Sequence, residues 1–483
     1  MIFNSFSFAV FFIIVLLVCY IIQNTDSLGV DKRIRIRNIF LLCASYYFYA
    51  FLKWEFVLLL LLTTLINFFC TSQLVKARHN GNKKKIKAWK WIAFISSLGI
   101  LCYFKYTNFF IDSINEALIL LGISPKLELL QIILPIGISF FTFQALTYTL
   151  DVYNGKMEAR KNFVDVALFI SFFPTILSGP IEKARKFLPQ IEEERRVTLD
   201  GILEGGKRFI WGLFKKMVIA DRLAAYVGEI YSYDPSNCSS ITLIVTTVFY
   251  SFQVYADFSG YSDMAIGIGR ALGFQLSENF KFPYFSTSVK DYWRRWHATL
   301  SSWFTQYVYF PMGGNRVTTA RWIFNIMVVF LLSGLWHGDK WSYVFWGGLN
   351  GIYYLGEHYY KKTKVYDYLH NNNVFQKINP FLSMMVVFAL VTIARVFFRT
   401  EDVGKALDVL YGFFHNPGSF YWRASAFETA ITIALLILFI FLDYIKYKEY
   451  RFRPLISYGG YAVLICMMFL FGVSESGFVY FRF

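Results

Sequence analysis

Charge is what this chain has least of. Asp, Glu, Lys and Arg make up 17% of its 483 residues, against 56% hydrophobic and 20% aromatic. Soluble domains carry about a quarter charged residues, so a soluble globular protein is excluded and a polytopic membrane protein is expected. Cysteine is scarce as well. Five of the six, Cys19, Cys43, Cys70, Cys102 and Cys466, lie inside apolar runs and no two form a Cys-x-x-Cys pair, which leaves neither a zinc site nor a disulfide framework to expect. There is no Walker-type Gly-x-x-x-x-Gly-Lys loop, no internal repeat and no low-complexity linker. The chain is therefore read as one domain over 1–483, with a motif-bearing core at about 130–360 and C-terminal helices at about 380–475. Met1 to Ile22 lacks a basic n-region and a small-residue cleavage signature and reads as a retained first helix.

Apolar runs recur from Phe6 to Phe471. Several are shorter than the ~20 residues a clean crossing needs, so we expect about eleven transmembrane helices plus re-entrant and interfacial helices. The net charge of +16 sits in short loops between these runs, where positive-inside orientation accounts for it and a nucleic-acid partner is not expected. Asp31 to Arg37 and Lys83 to Lys87 are separated by two apolar runs and both read as cytoplasmic. Lys156 to Lys161 and Lys183 to Lys186 share that side, which makes the short run Phe163 to Leu177 re-entrant.

Trp336-His337-Gly338 closes the apolar run Ile323 to Leu335 with an ionisable imidazole. A rise of about 1.5 Å per residue puts His337 roughly 22 Å beyond Trp322, deep in or just across the hydrocarbon core, where a titratable group marks a functional site. Upstream, Trp293, Trp296, Leu300 and Trp303 recur at three and four in Asp291 to Trp303, which predicts one amphipathic helix with a Trp-rich interfacial face and His297 at its border. Gln253, Asp257 and Tyr261 are spaced by four and would form a polar stripe within a span. The glycines Gly267 and Gly269 read as helix-packing devices.

Leu134-Pro-Ile-Gly-Ile-Ser-Phe-Phe141, Phe173-Pro-Thr-Ile-Leu-Ser-Gly-Pro180, Asp257-Phe-Ser-Gly-Tyr-Ser-Asp263, Asn279-Phe-Lys-Phe-Pro-Tyr284, Trp293-Arg-Arg-Trp-His297 and Gly334-Leu-Trp-His-Gly338 follow one another in order. In that order and spacing the chain resembles the membrane-bound O-acyltransferase family, in its bacterial branch of the alginate O-acetylation type and, more distantly, of teichoic-acid D-alanylation. The resemblance covers about residues 1–400. It implies a funnel-shaped ring of helices, thin at its centre, with His337 as the catalytic residue and His297 as the second histidine, near the cytoplasmic mouth.

Acyl transfer to a hydroxyl needs a base, and a neutral imidazole shielded from bulk water suits it, which assigns that role to His337. Arg294, Arg295, Lys281 and Lys290 would hold the phosphates of an acetyl-CoA donor, with Trp296, Trp336 and Asp257 completing the substrate-binding set. The expected function is O-acetyl transfer from a cytoplasmic thioester towards an envelope or extracellular polysaccharide. It takes place in the inner membrane, in contact with membrane lipid and in relay with an extracytoplasmic acetyltransferase. Alternatives are D-alanyl or other acyl transfer to teichoic acid or peptidoglycan, and, in another class, a secondary transporter relaying protons through His337 and Asp257.

Overall fold

Apolar runs broken by short basic loops fold into helices alone, and no strand occurs among the described residues of the computed structural model. These are all residues except 26, 125–126, 451–453, 474–476 and 479–483, with the side chains of 370, 373–375 and 454–455 also left aside. The chain divides into two compact units.

The first unit takes Met1–Phe209 and Tyr261–Ser277. It holds α1 (Phe6–Gln23), α2 (Val30–Ala50), α3 (Glu55–His79), α4 (Lys83–Leu120), α5 (Ile138–Tyr153), α6 (Phe163–Ser171), α7 (Ala184–Glu192) and most of α8 (Leu199–Phe214). Several starts are capped from the sequence: the Ser5 hydroxyl accepts from the Phe8 N–H, and Asn82 and Asn162 serve α4 and α6 in the same way. The core lies around α5 and α6, which are buried along almost their whole length. With nine residues, α6 rises only about 14 Å, too little for a crossing, and the buried chain from Phe172 to Pro180 continues it without helix. Gly137 starts α5 at φ +80°, and a Cβ there would come within 2.6 Å of the Ile176 carbonyl. Only glycine meets both demands, so the Leu134-to-Phe141 and Phe173-to-Pro180 segments come together at this residue.

The second unit takes Ile210–Gly260 and Glu278–Val479. A π-helical turn, Lys215–Ala220, joins α8 to α9 (Asp221–Ser232). Then come α10 (Ser240–Ala271), α11 (Val289–Arg295), α12 (Ala298–Phe304), α13 (Thr319–His337), α14 (Trp341–Tyr360), α15 (Lys364–His370), α16 (Asn373–Thr400), α17 (Val403–His415), α18 (Ala426–Tyr447) and α19 (Pro454–Phe471). Small residues let α13 and α14 press together: a side chain at Gly334 would run into the Tyr343 carbonyl and one at Gly347 into the Phe330 carbonyl. At Gly338 the space a Cβ would need is already filled by the Tyr343 ring. The glycine after His337 is thus a packing requirement.

Among the described residues, seven helices are long and apolar enough to cross a membrane: Phe6–Gln23, Glu55–His79, Lys83–Leu120, Ser240–Ala271, Thr319–His337, Gln376–Thr400 and Ala426–Tyr447. Further crossings towards the expected eleven would have to come from shorter or more polar helices, of which Ile456–Phe471 is apolar. Large apolar side chains stand exposed along these helices, among them Ile13, Leu17 and Ile21 on α1 and Phe427, Ile437 and Phe441 on α18. Such surfaces suit lipid tails.

Candidate active site

The single amphipathic helix expected from Asp291 to Trp303 breaks in the middle. α11 ends at Arg295, α12 begins at Ala298, and between them His297 takes φ +45°, in the left-handed region that costs a residue with a Cβ about 1–3 kcal/mol. Two backbone hydrogen bonds clip this turn to the preceding loop: Ala298 N–H donates to the Asn279 carbonyl at 2.9 Å and Lys281 N–H to the Arg295 carbonyl at 3.0 Å. The periodicity of three and four survives the break, but the tryptophans do not face an interface. Trp296 and Trp303 are buried in protein, and Trp293 packs edge-on against Phe330 and Trp346.

Asn279 sets the His297 ring as well as its backbone. Its Oδ1 lies 3.0 Å from His297 Nδ1 and also accepts from the Thr299 hydroxyl at 2.9 Å, so it acts as an acceptor and His297 Nδ1 carries the hydrogen. On α13, the Nδ1–H of His337 donates to the Ser333 carbonyl at 2.6 Å. Because a carbonyl can only accept, each neutral imidazole keeps its lone pair on Nε2. The two rings are 6.4 Å apart, centroid to centroid, and nearly perpendicular. Both residues are 1% exposed. Aromatic rings wall them in: Phe258 and Trp336 stand at 4.7 and 5.8 Å from His297, and Trp336, Trp346 and Phe398 at 5.0, 5.0 and 5.6 Å from His337.

Helix rise alone would place His337 far in depth from the Arg294-Arg295-Trp296-His297 segment. That expectation is overturned: the two histidines are neighbours, while Arg294 at the other end of the segment is exposed. Arg294 is 79% exposed and pairs with Asp291 at 2.6 Å, Arg295 pairs with the same carboxylate at 2.6 Å, and Lys281 and Lys290 are exposed.

Asp257 lies one residue before the Phe258 ring that abuts His297, but it faces a cation. Lys216 Nζ is 2.7 Å from Asp257 and 2.8 Å from Asp221, all three residues being 2% exposed or less, and Lys215 donates to Ser259 at 2.8 Å. Asp257 is thus committed to an ion cluster, an arrangement that does not suit the proton relay with His337 considered above. Lys216 and Asp221 escaped the sequence reading, and Asn279, quoted there only as the start of a motif, was given no role. The signal was present, since Lys215 and Lys216 sit inside the apolar run Phe209 to Leu223, and an ionisable pair at such a place needs partners.

Residues 46–389 match the model of the membrane-bound O-acyltransferase family. The probable alginate O-acetylase AlgI of Pseudomonas aeruginosa is 36% identical over 427 residues, covering 87% of this chain and 78% of its own. The peptidoglycan O-acetyltransferase of Helicobacter pylori is likewise 36% identical, over 78% of this chain and 73% of its own length. The teichoic acid D-alanyltransferase of Bacillus subtilis is similar over a shorter stretch, 30% identical across 49% of this chain and 62% of its own.

Proposed function

Since the chain belongs to the membrane-bound O-acyltransferase family, and is by that membership a multi-pass membrane acyltransferase, we propose that it transfers an acetyl group from a cytoplasmic thioester such as acetyl-CoA towards a polysaccharide of the cell envelope. The observation that carries this reading is the pair of buried imidazoles, each with Nδ1–H spent on a fixed acceptor and Nε2 left as the basic nitrogen. His337 is the base in this scheme. Its Nε2 takes the acceptor's hydroxyl proton as the oxygen attacks the thioester carbonyl; the C–S bond breaks, and the proton passes to the departing thiolate. The aromatic walls keep bulk water from competing for the acyl group. His297, adjacent and equally enclosed, is the second catalytic residue.

Arg294, Arg295 and Lys281 form the cytoplasmic landing for the donor's phosphates, Arg by its planar fork and Lys as a point charge. In support, Arg294 and Lys281 are exposed and Arg295 is half-buried, while the imidazoles their segment leads to are enclosed. Trp336 packs against both histidines and would flank the acyl group; Trp296 and Asp257 support the site from behind. In this reading the protein lies in the inner membrane, and positive-inside orientation supports a donor side that faces the cytoplasm. An extracytoplasmic acetyltransferase would receive the acetyl group and complete the transfer. The relatives of equal identity act, by their names, on alginate and on peptidoglycan, so the acceptor is proposed as a sugar hydroxyl of that class. A D-alanyl donor has weaker support, because that similarity reaches only half of the chain.

The test is acetyl-CoA turnover in inside-out membrane vesicles. His337→Ala should lower it at least ~10²-fold at unchanged expression and insertion. Turnover within a few-fold of the unaltered protein would end the proposal.

A further inference from the structure

α16 reaches past the residues the family model matches, which end at 389, and it carries a buried cation into the site. Arg395 is 4% exposed within a run of apolar residues, a setting in which a guanidinium is kept only for a purpose. Its carbon lies over the Trp296 ring at 4.4 Å, and Nη2 donates to the Tyr292 hydroxyl at 2.5 Å. Tyr292 in turn stacks on Trp296, with ring centroids 5.8 Å apart and planes 17° from parallel, and its carbonyl accepts from the Trp296 N–H at 2.7 Å. Arg395 therefore grips Tyr292 in α11 and Trp296, the residue that caps its C-terminus, and the next residue along the chain is His297 at φ +45°. On the same face of α16, three residues on, Phe398 packs against His337.

A left-handed residue with a side chain persists only where its surroundings over-determine it. Asn279 restrains the turn from one side by hydrogen bonds to the His297 ring and to Ala298. Charge alone does not supply the restraint on the other side. It needs a flat cation that stacks on an indole while donating within its own plane to a phenol, which arginine does and lysine does not. We propose that Arg395 is a positioning residue: through Trp296 and Tyr292 it locks the strained turn that holds His297 beside His337. The proposal rests on the reading that His297 serves acyl transfer.

The experiment measures kcat and KM for acetyl-CoA turnover in vesicles carrying the full chain, for Arg395→Met, Arg395→Lys, Tyr292→Phe and His297→Ala, and for Arg395→Met combined with His297→Ala. Misplacement of a catalytic group by about 1 Å costs on the order of 10²-fold, so Arg395→Met should lower kcat at least ~10-fold while KM stays within about 2-fold. Arg395→Lys should not restore the rate. Tyr292→Phe, which deletes one oxygen and is expected to fold, should lower kcat less, by about 3-fold, and it decides the matter if Arg395→Met fails to insert. In the His297→Ala background, Arg395→Met should cost almost nothing further, a non-additivity that a purely structural role would not produce. An undiminished rate in Tyr292→Phe, full rescue by lysine, or additive losses in the double variant would overturn the proposal with the histidine reading intact. A fully active His297→Ala would instead remove the premise and the proposal with it.

Discussion

Basic side chains occur in two settings within the second unit, and the contrast separates orientation from mechanism. Lys281, Lys290 and Arg294 are exposed, and Arg294 shares one carboxylate, Asp291, with Arg295. Lys215, Lys216 and Arg395 are 4% exposed or less, and each is met by specific partners: Ser259 for Lys215, Asp257 and Asp221 for Lys216, Trp296 and Tyr292 for Arg395. Exposed cations are what any multi-pass membrane protein accumulates in short loops, and each exposed ion pair is worth at most about 1 kcal/mol. A buried cation must recover a desolvation cost of several kcal/mol, so its partners are part of the design. In a chain this apolar, the ionisable residues inside the hydrophobic runs carry more information than the more numerous ones outside them.

Breaking the buried set should have the largest effect. Lys216→Met leaves two carboxylates facing each other without their shared cation, and truncating one partner of a buried ion pair costs about 3–5 kcal/mol. The expected result is little folded protein in detergent, measured as the monodisperse fraction and its melting temperature. Asp221→Asn should be much milder, because a single Lys216–Asp257 pair remains. Equal stability of the two variants would mean that the cluster is no more demanding than a surface pair.

Asn279 comes next. Asn279→Ala removes the acceptor of His297 Nδ1–H and of the Thr299 hydroxyl but keeps the backbone clip to Ala298. If His297 serves acyl transfer as proposed, loss of the group that orients it should lower kcat for acetyl-CoA about 10–100-fold with KM nearly constant. Asn279→Asp, which keeps the acceptor, should recover part of the loss. An undiminished rate in Asn279→Ala would show that His297 needs no orienting partner.

The sequence made the helices and the two histidines legible, because apolar runs and an imidazole at the end of one are local features. It did not make their meeting legible. Whether the Asp291-to-Trp303 segment continues as one helix or breaks depends on Asn279, a residue eighteen positions before His297 that supplies both backbone and side-chain bonds to the turn. Periodicity cannot report such a contact, since the tryptophans keep a helical spacing on either side of the break. Gly267 and Gly269 were legible in kind, as packing devices, though their partners, the Gly205 carbonyl and the Leu276 side chain, were not, and Gly334 and Gly347, which press α13 against α14, were not singled out at all. The ionic partner of Asp257 was hidden for the same reason: Lys216 is forty-one residues away, in the π-helical turn Lys215–Ala220.

Among the exposed set, the effect should be confined to binding. Arg294→Ala should raise KM for acetyl-CoA about 3-fold and leave kcat unchanged, because a landing charge contacts the donor equally before and during the reaction. At about 0.5 M salt the difference should vanish, since the screening length is then well under 10 Å. Turnover that slows by about 10-fold at saturating donor would move Arg294 from the landing to the chemistry and erase the distinction between the two sets.

Glu182 sharpens the comparison from the acidic side, with the smallest expected effect. It is a buried carboxyl whose two hydrogen bonds come from the neutral N–H and hydroxyl of Ser277, at 2.5 and 2.9 Å, and burial pushes its pKa up to about 7. Between its ordinary value of 4.5 and about 7 the folded state retains a proton that the unfolded state has released, so this contribution to stability is complete below pH 4.5 and is lost as pH rises through about 7. Above that pH a charge is buried without matching compensation, at a cost of at most about 3 kcal/mol. Glu182→Gln keeps an oxygen for the Ser277 N–H and cannot ionise. It should melt at nearly the same temperature as the unaltered protein at pH 5 and a few degrees higher at pH 8, with acetyl-CoA turnover unchanged at both. A melting difference that does not vary with pH would mean that the lysines nearby, Lys183 and Lys186, already hold the carboxylate in its charged form, and Glu182 would then belong with the exposed ions.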